Sequence, residues 1–90
     1  MKIKLELFGA SRDFGETDFL ELILKEKSSI KDLREKIINY VNEKFNGNEN
    51  FKKIVETSAF CSEDNNIVSD NYKITKEQKI GIIPPIGAKC

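Results

Sequence analysis

Residues 2–8, KIKLELF, set Ile3, Leu5 and Leu7 on one side and Lys2, Lys4 and Glu6 on the other, the period of two that a half-buried strand requires. Phe8 breaks the alternation. Gly9 to Thr17, GASRDFGET, carries two glycines and several small polar residues, so the chain turns back there over a stretch short enough for a hairpin. DFLELILK then places Leu20, Leu22 and Leu24 on one face and Glu21 and Lys25 on the other, with Phe19 and Ile23 sharing that second face. A second strand, antiparallel to the first, is expected.

The period changes at SSIKDLREKIINYVNEKFNG. Ile30, Leu33, Ile37, Val41 and Phe45 recur at helical spacing, Ile38 and Tyr40 widen the stripe, and Lys31, Glu35, Asn39 and Asn42 face away. Ser29 followed three residues later by Asp32 is a capping box, and Gly47 is placed to stop the helix. Asn46 to Phe51 reads as a loop, and FKKIVE adds one helical turn. SAFCSE reads as a short strand, Asp64, Asn65 and Asn66 as a turn, Ile67 to Ser69 as a brief strand, and DNYKITKEQ as irregular. KIGII is the last strand. Its near-continuous apolar character suits a central position covered on both faces, or one face buried and the other kept for a partner.

Strand, strand, helix, strand, short strand, strand is an α+β order: a mixed sheet of four to five strands with one main helix on one face. Pairing of the first and last strands would be parallel, reached through the long excursion that contains the helix. The 90 residues hold one domain, 1–90, with a tail protruding at 84–90.

Composition narrows the chemistry. Fifteen Lys and Arg balance fifteen Asp and Glu, so no net field draws nucleic acid or an anionic membrane. Ile80 to Ile86 is far shorter than the roughly 20 residues of a bilayer span, and the N-terminus lacks a signal-peptide core, so the chain reads as cytoplasmic. Two cysteines make no disulfide scaffold; Cys61, two residues after Ala59 in a strand, reads as a small core hydrophobe. With no histidine, Ser-His-Asp, Cys-His and zinc chemistry have no starting point, and an autonomous enzyme is disfavoured. Asp13, Glu16, Glu49 and the Glu63-Asp64 pair have no recurrent ligand spacing and read as surface charge. No metal or bound cofactor is expected.

IGIIPPIG, residues 80–87, resembles the end of the small subunit of molybdopterin synthase, one of the ubiquitin-like sulfur carriers. Leu7-Phe8-Gly9-Ala10, Arg12, Ser29-Ile30-Lys31-Asp32-Leu33, Ile67-Val68-Ser69 and Ile74-Thr75 extend the similarity over nearly the whole chain, the Pro-Pro pair being its most specific element. The resemblance implies a ubiquitin-like β-grasp fold. It implies that a C-terminal glycine carboxylate is adenylated with ATP by a ubiquitin-activating-like adenylyltransferase and converted to a thiocarboxylate. The sulfur would then pass to a pterin precursor on the large subunit, in molybdenum cofactor synthesis. Phe8, Arg12, Ile82, Pro84, Pro85 and Ile86 match positions that face the large subunit, although a strand-end Phe or Ile is as often core, and a loop arginine is usually solvated.

Pro84 and Pro85 lack amide hydrogens and have fixed φ, so they end strand pairing and launch a stiff extended segment. Ile86 to Cys90, five residues, would reach about 17 Å at roughly 3.3–3.6 Å each. Family members end in Gly-Gly, which passes a narrow channel. Here Gly87, Ala88, Lys89 and Cys90 stand instead, and Lys89 would need a carboxylate partner inside any tight tunnel. Three expectations remain open: trimming to expose Gly87, a thiol or persulfide carried on Cys90, or a ubiquitin-like interaction module that is not activated.

Overall fold

The first and last strands lie side by side at the centre of the sheet. The structure, a computed structural model, describes residues 1–15 and 17–85. Strands β1 (Lys2–Leu7), β2 (Phe19–Ile23), β3 (Ala59–Cys61), β4 (Ile67–Val68) and β5 (Lys79–Ile83) are arranged in the order β2-β1-β5-β3-β4. Only the β1–β5 pair is parallel; β1–β2, β3–β5 and β3–β4 are antiparallel. Helix α1 (Ile30–Lys44) supplies the crossover and covers one face, giving the expected β-grasp arrangement.

Register turns the sequence alternation into a core. Leu5 faces Ile80 and Leu7 faces Ile82 across the parallel pair, while Phe60 faces Ile82 across β3 and β5. These five side chains are at most 2 % exposed, as are Ile30, Leu33, Ile37 and Val41 beneath them on α1. Each contributes about 1.5–3 kcal/mol by leaving water, so the sheet's helix-facing side holds most of the stabilising area.

Helix α1 begins where its cap dictates. The Ser29 N–H donates to Asp32 Oδ2 at 2.9 Å, and the Asp32 N–H donates to Ser29 Oγ at 3.3 Å. The remaining first-turn donors go to a segment that reads as irregular in sequence: the Ile30 N–H to the Tyr72 carbonyl at 3.0 Å and the Lys31 N–H to the Asp70 carbonyl at 3.1 Å. Ile74, in the same segment, is fully buried and donates its N–H to the Ser28 carbonyl at 2.7 Å. At the other end Asn46 and Gly47 take φ of 54° and 70°, the left-handed region that stops a helix.

Two expectations are corrected. The single turn expected at FKKIVE is a nine-residue helix, α2 (Glu49–Thr57), because Asn48 Oδ1 accepts from the N–H groups of both Asn50 and Phe51. Ile54 and Val55 are buried on it, and the Phe51 ring lies 5.1 Å from Phe14 and 4.9 Å from Phe45. The turn after β1 is a 3-10 helix, Gly9–Phe14, that delivers Phe14 into the core with no exposure, its carbonyl accepting from the Tyr40 hydroxyl at 2.6 Å. The expected turn is there, but it also carries a core aromatic. Among the described residues no helix is long and apolar enough to cross a membrane.

Candidate functional site

The sheet face away from α1 is uncovered among the described residues, and register decides what it displays. At the level of Gly81, one row crosses all five strands: Phe19, Glu6, Gly81, Cys61 and Ile67. Phe8, just beyond β1, lies over this row: a Cβ built on Gly81 would stand 2.8 Å from Phe8 Cε2 and 3.8 Å from the Cys61 Cβ. The missing side chain at Gly81 is therefore what lets the Phe8 ring approach β5 this closely. Ile83 and Ala59, paired opposite each other, extend the same face towards the end of β5. Phe8 is 41 % exposed and Ile67 is 63 % exposed, so this end of the face is apolar and open to water.

The other end is charged and internally paired. Lys79 Nζ lies 3.5 Å from Glu6, Lys2 Nζ lies 3.7 Å from Glu21, and Lys4 Nζ sits 4.3 Å from the centre of the Phe19 ring. Exposed pairs of this kind contribute about 0–1 kcal/mol. Their effect on the face is contrast: lysines and glutamates in one half, Phe8, Gly81, Cys61, Ile83 and Ile67 in the other.

The strand carries this apolar half to Pro84 and Pro85. β5 ends at Ile83, and Pro84 follows half-buried against Gly9, whose φ of 54° brings its backbone close; a Cβ there would be 3.8 Å from Pro84 Cδ. Pro85 is exposed. Ile86, Gly87, Ala88, Lys89 and Cys90 lie outside the described residues, as does Glu16. The two prolines directly follow the central strand.

Three sequence readings change. Ile82 points into the core with no exposure, so its side chain is not available to a partner; the outward residues of β5 are Gly81 and Ile83. Cys61 is not core. It is a free, partly exposed thiol opposite Gly81 on the open face, because Phe60 takes the inward position of β3. Arg12 is not simply solvated: its Nη2 donates to Asp18 Oδ1 at 2.7 Å, both side chains remaining about 60 % exposed, and the pair closes a shallow recess beside Phe8 and Gly9. Asp13, Glu49, Glu63 and Asp64 are exposed, and no group of three or more Cys, Asp or Glu able to hold a metal is found among the described residues. Gly81, Cys61, Ile83 and Ile67 are the face residues that sequence reasoning missed. Their signal was parity along KIGII, readable only once one inward residue of that strand is known.

Behind the face, Arg34 ties the elements that hold β3. Its Nη1 donates to the carbonyls of Val55 at 2.7 Å, Glu56 at 3.1 Å and Ser58 at 2.8 Å, at the end of α2, and its Nη2 donates to Asp70 Oδ1 at 2.7 Å. The guanidinium carbon lies 4.9 Å from the Phe60 ring centre. One arginine on α1 therefore anchors α2, the start of β3 and the loop after β4.

No protein-family model matches the chain, and no curated protein matches it. Solved structures do. A protein described as molybdopterin converting factor, subunit 1, from Pyrococcus furiosus superposes with a TM-score of 0.70 at 22% identity, covering 94% of this chain and 98% of its own. The crystal structure of SAMP1 from Haloferax volcanii gives 0.68 at 7% identity over 97% of this chain and 98% of that one. A structure of the H. volcanii small archaeal modifier protein 1 gives 0.68 at 7% identity over 94% and 98%. At these identities the likeness is one of fold, and the chain shares with all three the ubiquitin-like β-grasp architecture over nearly its full described length.

Proposed function

We propose that this protein is a carrier that presents the segment after Pro85 to partner enzymes, as a sulfur carrier similar to the small subunit of molybdopterin synthase. The observation that carries this reading is the exit of the central strand through Pro84 and Pro85 beside an open apolar face of Phe8, Gly81 and Ile83. The face would seat the large subunit, and the stiff exit would direct the following residues into its active site. Fold likeness to a protein described as a molybdopterin converting factor subunit supports the pathway.

The chemistry asked of the chain is modest. A carboxylate exposed at Gly87 attacks the α-phosphate of ATP on the adenylyltransferase, releasing pyrophosphate and leaving an acyl-adenylate. Sulfide sulfur delivered by that system then displaces AMP to give the thiocarboxylate. Catalysis belongs to the partners; the chain contributes the group, its reach and its docking face.

A second reading is favoured by one observation, the residues Gly87-Ala88-Lys89-Cys90 where the carriers have Gly-Gly. On it the protein is a β-grasp interaction module that binds partners without being activated. Intact-mass analysis of protein purified from its native cell separates the two. Trimming after Gly87, or exchange of one terminal oxygen for sulfur, is expected for the carrier. A full-length, unmodified chain that an adenylyltransferase leaves untouched with ATP would overturn it in favour of the module. A persulfide lost on mild reduction and absent in Cys90→Ser would overturn it in favour of a thiol carrier.

A further inference from the structure

Cys61 and Cys90 are the chain's two cysteines, and the first stands on the open face with its thiol free. A lane runs over the sheet from there, from the Cys61–Gly81 pair to the Ala59–Ile83 pair of β3 and β5. Phe8 walls it on the β1 side, over Gly81, and Ile67, paired with Cys61, walls it on the β4 side. Cys61, Ala59 and Ile83 are all partly exposed, and no side chain of the lane is charged.

β5 leads out of the far end of this lane into Pro84 and Pro85. Pro85 is four residues beyond Gly81, which with one strand spacing puts its Cα within about 15 Å of Cys61. The five residues from Ile86 to Cys90 span up to about 17 Å, so Cys90 can come within disulfide distance of Cys61. Residue types supply the reversal this needs: Pro84-Pro85-Ile86-Gly87 carries proline at the second and glycine at the fourth place of a type I turn. Because β1 and β3 occupy both sides of β5 and α1 covers its other face, a chain that turns back there has only the lane to enter. Counting back from the turn sets Ala88 over Ile83, Lys89 at the level of Ile82 and Cys90 at the level of Gly81, beside Cys61. Extended alternation then sends Ala88 and Cys90 towards the sheet and Lys89 to water.

We propose that residues 86–90 fold back along this lane and that a small-molecule disulfide oxidises Cys90 and Cys61 to an internal bridge. The Cys90 sulfur attacks the reagent and expels one thiol; the Cys61 sulfur then attacks the mixed disulfide at Cys90 and expels the second. Two cysteine sulfurs are oxidised, the reagent's two are reduced, and the two thiol protons leave with the released thiols. Reductant thiols reverse both steps. For the carrier reading, on which this consequence rests, the bridge shuts off the docking face and Gly87 together while the chain is untrimmed, since trimming after Gly87 removes Cys90.

The test holds full-length protein at about 10 μM with glutathione disulfide, quenches in acid, alkylates, and reads intact mass and linked peptides. With an effective concentration in the millimolar range, the internal bridge should exceed the cross-linked dimer about a hundredfold. A monomer lighter by two hydrogens, taking up no alkylating agent and yielding a Cys61–Cys90 linked peptide, is expected. Amide NMR shifts at Ala59, Cys61, Gly81 and Ile83, reversed by dithiothreitol, should accompany it. Lys89→Cys combined with Cys90→Ser moves the thiol to the water side of the returning segment and should slow closure about tenfold. Glutathione retained on both cysteines, a predominant dimer, shifts absent from the lane, or equal closure by the shifted cysteine would each overturn the proposal. All are read on the isolated chain, so they stand apart from whether an adenylyltransferase activates it.

Discussion

Replacing Arg34 tests whether one side chain holds the helical layer to β3. The Arg34→Ala variant loses four contacts to oxygen, at 2.7, 3.1, 2.8 and 2.7 Å, but Nη1 has two hydrogens for three carbonyls, so one contact is shared. Counted as three charge-assisted bonds at about 1.5 kcal/mol each, the loss is roughly 4–5 kcal/mol. Two terms reduce it. Asp70, about half exposed, regains water, and Arg34 Nε, buried with no hydrogen-bond partner among the described residues, is relieved of a cost of about 1–3 kcal/mol. The expected net destabilisation is about 2–3 kcal/mol. A 90-residue domain has about 5–13 kcal/mol in total, so the variant folds, with a melting temperature lower by roughly 8–24 °C. Urea unfolding followed by circular dichroism measures it. Arg34→Lys should recover less than half, since one ammonium cannot span the end of α2 and Asp70 together. A loss below about 1 kcal/mol for the alanine variant, or full rescue by lysine, would refute the anchoring argument.

Phe14→Ala should cost about 3–5 kcal/mol and Phe8→Ala about 1 kcal/mol or less in the same assay, because the first ring is fully buried and the second lies on the open face; equal losses would mean that Phe8 is core. In a Cys90→Ser background, Cys61 should react with a maleimide in native buffer, as a thiol on an open face does, and labelling that requires urea would return it to the core. The Ser29 backbone N–H holds the Asp32 carboxyl below the usual carboxylate range. Its stabilising contribution is therefore complete above the ordinary carboxylate pKa of about 4 and is lost as pH falls through the lower folded value. The stability gap between wild type and Asp32→Ala should narrow in urea titrations below about pH 4; a gap that is constant into acid would disprove the charged cap.

Much of this was legible locally. Ile3 alternates with Leu5 and Leu7 because it lies opposite buried Leu22 on β2 and they lie opposite buried Ile80 and Ile82 on β5, and Ser29 with Asp32 starts α1 because the cap needs only residues three apart. The order of elements and the parallel central pair followed from those signals. Pro84 and Pro85 marked the exit of the last strand for an equally local reason, the absence of amide hydrogens.

What stayed hidden depends on pairing between residues far apart in the chain. Parity along KIGII has two solutions, and only the contact of Ile82 with Leu7 and Phe60 decides that Gly81 and Ile83 face out and Ile82 in. The same register moves Cys61 from core to face. Phe14 reads as a loop residue until Phe51 and Tyr40 arrive from helices some 26 to 37 positions later. Arg34 looks like one more charge on a solvated helix face until α2, β3 and Asp70 close around it. Sequence alone determined where the strands, the main helix and the prolines lie, since periodicity, capping and missing amides act within a few residues. Tertiary structure alone decided which side of each strand meets water and which backbone edge is left unpaired, because both are properties of strand register and not of any one segment.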